Sequence, residues 1–166
     1  MKKRLISIIL AVMMILGILA GCTEQPAPTE LVVELPDLEI LYHQGVEKLA
    51  EMGPKAPVLF PETNIDYLNQ FYPGLADIEL KQLFAGVAPV TNAPFEIILV
   101  EVVDEADVPT VMEIFQARAD RESDDSAYPE NAEAWMNNCR ITSRGNSVFL
   151  AVLMGSAEIP AQFILD

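Results

Sequence analysis

Cysteine, histidine and tryptophan are almost absent: the 166 residues contain two cysteines, one histidine and one tryptophan. Two cysteines exclude a disulfide-dense scaffold. His43 is the single imidazole, and no serine or cysteine neighbours it in sequence to suggest a triad or a zinc site. Cations are scarce too: 10 Lys+Arg stand against 25 Asp+Glu, a formal net charge of -15. DNA or RNA as a partner is argued against, because neutralising phosphates needs clustered Lys and Arg. There is no glycine-rich phosphate loop, no CxxC pair and no internal repeat. What is present is apolar residues, 51% of the chain, with 21% charged and a mean hydropathy of +0.27. That balance is too apolar for wholesale disorder, and the length suits one globular domain.

The N-terminus reads as an address. Lys2, Lys3 and Arg4 precede an uncharged run of 16 residues, 5 to 20, the pattern of a secretory signal. At 1.5 Å per residue the run reaches roughly 24 Å, short of the ~30 Å hydrocarbon core. Leu19-Ala20-Gly21-Cys22 closes it. This tetrad resembles the lipobox of bacterial lipoproteins, where a dedicated peptidase cuts before the cysteine. Ala20 and Gly21 are small enough for a tight protease cleft, and the Cys22 thiol can take a diacylglycerol through a thioether. The competing reading is an uncleaved signal anchor with an incidental cysteine. Two acyl chains hold a protein stably where one holds it marginally. Cleavage removes Lys2, Lys3 and Arg4, leaving 7 Lys+Arg against 25 Asp+Glu, or -18 over the 145 residues from Cys22. Anionic lipid repels such a body over about 8 Å, so the lipid must do the holding.

Residues 23–30 carry Pro26 and Pro28 and no large apolar side chain; as an extended spacer they span roughly 25 Å. The domain is expected from residue 37. Leu38, Leu41, Tyr42, Val46, Leu49 and Ala50 fall on one helical face behind Asp37, a plausible cap, and Gly53-Pro54 ends that helix. Residues 55–61 read as irregular, and residues 63–71 as a short helix stopped by Tyr72-Pro73-Gly74. Residues 77–88 fit two patterns. Leu80, Leu83, Phe84 and Val87 have helical spacing, whereas Ile78 and Leu80 alternate with Glu79 and Lys81 as in a strand. Residues 95–103, rich in Ile and Val, form the clearest strand. A helix opens at Asp104, acidic where its dipole favours acid, and carries Val108, Val111, Met112, Phe115 and Ala119. Pro129 suits the first turn of another helix. Gly145-Asn146 reads as a two-residue hairpin turn between residues 139–144 and 147–154. Residues 158–163 suggest a last helix.

This order of elements, from lipobox and spacer through Phe95-Glu96-Ile97 to the Gly145-Asn146 hairpin, resembles a family of small lipoproteins, mostly Gram-positive, the domain-of-unknown-function 4358 family. The likeness covers residues 67–163. It implies that residues 78–88 are extended, and it brings a location and a fold but no activity and no catalytic residues. Members often carry an aromatic after the Gly-Asn pair, where this chain has Ser147.

The remaining candidates have plain explanations. Cys139, on an expected strand, packs as a small apolar side chain more readily than it attacks as a nucleophile. Asp104, Glu105 and Asp107 cluster, as do Glu122, Asp124 and Asp125, yet neither group has the alternating ligands and central glycine of a calcium loop. One reads as a helix start and the other as a solvated helix end. Trp135, flanked by Tyr128, reads as a cover on one end of the sheet; exposed, it would mark a recognition surface.

The expectation is a single α+β domain over residues 37–166. It has an antiparallel sheet of about four strands with helices mainly on one face, behind a signal peptide (1–21) and a lipidated Cys22 with tether (22–36). No catalytic residue, cofactor or metal is expected. The expected partners are membrane lipid through Cys22 and an envelope protein or small ligand, on the extracytoplasmic face of the cell membrane. The expected function is a non-enzymatic binding or interaction module, with a small extracytoplasmic hydrolase as the alternative.

Overall fold

Residues 37–51, 57–89 and 94–154 are described by the computed structural model. Helix α1, Leu38–Ala50, starts where its cap requires: the Asp37 carboxylate accepts from the Glu39 N–H at 2.8 Å. Leu38, Tyr42, Gly45 and Leu49 recur at helical spacing and are its buried residues. Strand β1, Phe60–Glu62, leads into the single-turn helix α2, Ile65–Leu68, where the Asn64 side chain accepts from the Tyr67 N–H. After a tight turn at Leu75–Asp77 come β2, Leu80–Val87, and β3, Glu96–Val102. Helix α3, Val108–Ser123, and helix α4, Pro129–Asn138, each hold a proline in the first turn, where no N–H is needed. Strands β4, Arg140–Arg144, and β5, Ser147–Val152, close the described chain.

The sheet is antiparallel throughout, in the order β1-β2-β3-β5-β4. Both faces are covered, which is why β3 and β5 are apolar almost without alternation. On one face Ile98, Val100, Val102, Val148, Leu150 and Val152 pack with Val111, Phe115 and Trp135 from α3 and α4. On the other, Ile97, Leu99, Phe149 and Ala151 pack with Leu38, Tyr42 and Leu49 of α1. Burying each such large side chain contributes about 1.5–3 kcal/mol. At Gly86 the α1 side chain Tyr42 lies against the β2 backbone: a Cβ there would lie 2.7 Å from the Tyr42 ring.

The α+β architecture with an antiparallel sheet is the expected one, but among the described residues the sheet has five strands and not about four. The extra strand is β1, inside a stretch expected to be irregular. It pairs Phe60, Pro61 and Glu62 with Val87, Gly86 and Ala85, and a proline is tolerated there because β1 is an edge. Residues 80–87 are extended, settling the ambiguous segment as strand. The helix expected over residues 63–71 shrinks to Ile65–Leu68. Gly145-Asn146 does turn the last hairpin, with Gly145 at φ +54° in the first turn position. The helix expected at 158–163 lies outside the described residues, as do the leader, Leu19, Ala20, Gly21, Cys22 and the tether. Among the described residues no helix is long and apolar enough to cross a membrane.

Candidate functional site

The most concentrated polar chemistry lies inside the fold. Glu96 opens β3 on the face shared with Ile98 and Val100, and so points at α3. Arg118 is its partner: Val111, Phe115, Arg118 and Ala119 form the inward stripe of α3, so helical geometry carries the guanidinium into the core. Arg118 Nη2 lies 3.1 Å from Glu96 Oε2, and both side chains are about nine-tenths buried. Arg118 Nη1 meets Glu122 Oε1 one turn along at 2.5 Å. From the turn after α2, the Tyr72 hydroxyl donates to Glu96 Oε1 at 2.6 Å. Three aromatic rings surround the guanidinium carbon, with centroids at 5.3 Å (Phe71), 5.9 Å (Tyr72) and 5.1 Å (Trp135). Arg118 Nε is buried without a partner.

Burial and neighbouring charge move Arg118, Tyr72 and Cys139 away from their ordinary acidity. Burial alone would pull the Arg118 guanidinium down, but the Glu96 carboxylate, with Tyr72 and Glu122, more than offsets that and holds it above its ordinary value. Burial, then the charge and hydrogen bond of Glu96, raise the Tyr72 phenol well above its ordinary value. Burial likewise pushes the nearby Cys139 thiol up to about 12. Tyr72 is therefore a standing donor, and Cys139 stays a thiol with little nucleophilic character. The cluster is one guanidinium held against two carboxylates and three aromatic faces.

On the surface, an open cleft of about 310 Å³ lies between the end of α3 and the first turns of α4, with Pro129, Ala132 and Met136 lining it beside Asp124, Asp125 and Glu133. Ser123 also lines it, but its hydroxyl donates to the Ala119 carbonyl at 2.7 Å. Tyr72, Arg118 and Cys139 do not line it. His43 sits on α1, packed on the opposite face of the sheet, exposed and 3.8 Å from Glu39. His43 and Cys139 thus lie away from the cleft, whose lining adds the exposed Ser126 hydroxyl to the carboxylates of Asp124, Asp125 and Glu133.

No family model matches the chain, nor does any curated protein or solved structure. The geometry has to speak alone.

The other sequence candidates fall out as follows. Trp135 is buried and packs in the core beside Arg118, while Tyr128 is exposed. Asp104 accepts from the Ala106 N–H at 2.9 Å, the helix-start role expected of it. Asp125 holds its own turn by accepting from the Ala127 N–H. Among the described residues no three His, Cys, Asp or Glu side chains are grouped to hold a metal ion. Glu96, Arg118 and Tyr72 were not singled out from the sequence. One signal was there: Arg118 lies seven residues after Val111 and three after Phe115, on the stripe that should have been apolar.

Proposed function

We propose that this chain is a lipid-anchored protein of the extracytoplasmic membrane face whose folded part is a non-enzymatic binding or interaction module. The anchor rests on Leu19-Ala20-Gly21-Cys22 behind Lys2, Lys3 and Arg4. The module rests on one structural observation. The groups with displaced acidity lie away from the open cleft at α3 and α4: Tyr72, Arg118 and Cys139 on one face of the sheet, Tyr42 of α1 on the other. A catalytic site would gather such groups in a pocket. The proposal includes membership of the lipoprotein family that residues 67–163 resemble, which brings no activity with it.

The test is expression in a Gram-positive host of the full chain and of its Cys22→Ser variant, followed by fractionation and external proteolysis of protoplasts. The full chain is expected in the membrane fraction and accessible to protease from outside. Its variant is expected to be released or to remain at precursor mass. Equal membrane attachment of both at mature mass overturns the anchor.

A further inference from the structure

The sheet ends at β4, and the side of Arg140–Arg144 facing away from β5 meets no strand among the described residues. The hairpin fixes which backbone groups point there. In a two-residue hairpin the residues flanking the turn form a hydrogen-bonded pair, and bonded and non-bonded pairs then alternate. Arg144, Thr142 and Arg140 sit opposite Ser147, Phe149 and Ala151 and direct their N–H and C=O groups to β5. Ile141 and Ser143 direct theirs outward. This edge thus offers two donors and two acceptors at the spacing of an antiparallel strand.

Its side chains say what kind of strand fits. Arg140, Thr142 and Arg144 share one face of β4, and Ile141 and Ser143 the other. In a chain of net charge -15, two cations four residues apart on one edge run against the general sign. Arg140 is held through Nη1 by the carbonyls of Asn137 and Cys139, at 3.0 and 2.7 Å, so its charge is fixed at the strand's start. Arg144 is exposed. A second copy is a poor occupant in the register that overlaps all five residues, which would set Arg140 against Arg144, cation on cation. Charges on an edge also discourage promiscuous pairing, and that guard is lifted only for a strand of opposite charge.

We propose that β4 is a strand-addition site for an extended acidic segment of a partner protein. The segment would carry carboxylates four residues apart opposite Arg144 and Arg140, with an apolar residue opposite Ile141. This rests on the interaction-module reading and names its partner class.

The experiment uses the full-length chain in non-ionic detergent and a fluorescein-labelled seven-residue peptide with aspartates at its second and sixth positions and valine at its fifth. Two controls are the same peptide with both aspartates replaced by asparagine, and one N-methylated at its third and fifth residues. Fluorescence polarisation is expected to show binding that weakens about tenfold with each control, about tenfold with Arg144→Glu, and further with added salt. Equal binding of the N-methylated peptide overturns the proposal, because charge alone would then explain the contact. So does equal binding of the asparagine peptide, absence of binding, or a dimer in sedimentation that the aspartate peptide fails to dissociate. The N-methylated control leaves the protein untouched, so it decides even if Arg144→Glu perturbs folding. The result does not depend on Cys22 and cannot be confused with failure of the anchor.

Discussion

Arg118 and Glu96 are 22 residues apart in the chain and 3.1 Å apart in the fold, at nine-tenths burial. The pair joins α3 to the start of β3; the Tyr72 hydroxyl donates to the other Glu96 oxygen and Arg118 Nη1 meets Glu122, while Arg118 Nε has no partner. Removing one partner strands a charge in the core. Arg118→Met is expected to destabilise the fold by about 3–5 kcal/mol, and the double variant Glu96→Leu/Arg118→Met to recover most of that loss. Guanidinium unfolding of the four members of the cycle measures it. Additive losses would show that the two residues do not act as a pair.

Gly86 and Tyr42 make a steric prediction. A methyl group on Gly86 would sit 2.7 Å from the Tyr42 ring and 2.8 Å from its hydroxyl oxygen. Gly86→Ala is expected to lower stability by about 1–3 kcal/mol, and adding Tyr42→Leu should restore part of it by freeing the space. Thermal melts of the single and double variants check this.

Gly145 tests the backbone alone, because nothing lies within 4 Å of a Cβ placed there while φ is +54°. Gly145→Ala and Gly145→Asn should each cost about 1 kcal/mol or more, because a positive φ at Gly145 followed by a negative one at Asn146 makes a turn whose first position belongs to glycine. Equal melting temperatures for all three would contradict the turn geometry.

Cys139 gives a pH prediction. Its folded value of about 12 lies above the ordinary 9.0, with burial as the main cause. A raised value means that this stabilising contribution is complete below pH 9 and declines as pH climbs toward 12. In the Cys22→Ser chain, where Cys139 is the sole thiol, iodoacetamide at pH 8 should react at least ~100-fold more slowly than in urea. Similar rates would show that the thiol is accessible as thiolate.

Local chemistry made much of this architecture legible. Asp37 behind the α1 stripe, Pro129 at a helix start and Gly145 in a two-residue turn each act within a few residues. Strand β2 was not legible from its own residues, because Leu80, Leu83, Phe84 and Val87 fit a helix while Ile78 and Leu80 alternate with Glu79 and Lys81 as in a strand; pairing with β3 and β1 decides it. Strand β1 escaped because three residues containing Pro61 have no period, and only Val87, Gly86 and Ala85 make them a strand. The Glu96–Arg118 pair was hidden for a related reason: it is a tertiary contact. Its one local trace was an arginine on the apolar stripe of α3. The edge position of β4 among the described strands likewise follows from strand order, which no local pattern encodes.

The most direct measurement on the central claim is the intact mass and N-terminal peptide of the protein isolated from membranes of a Gram-positive host. The account predicts a chain starting at Cys22, its sulfur carrying a diacylglycerol thioether, with residues 1–21 gone. A chain retaining those residues, or one beginning near Cys22 with an unmodified thiol, would contradict it.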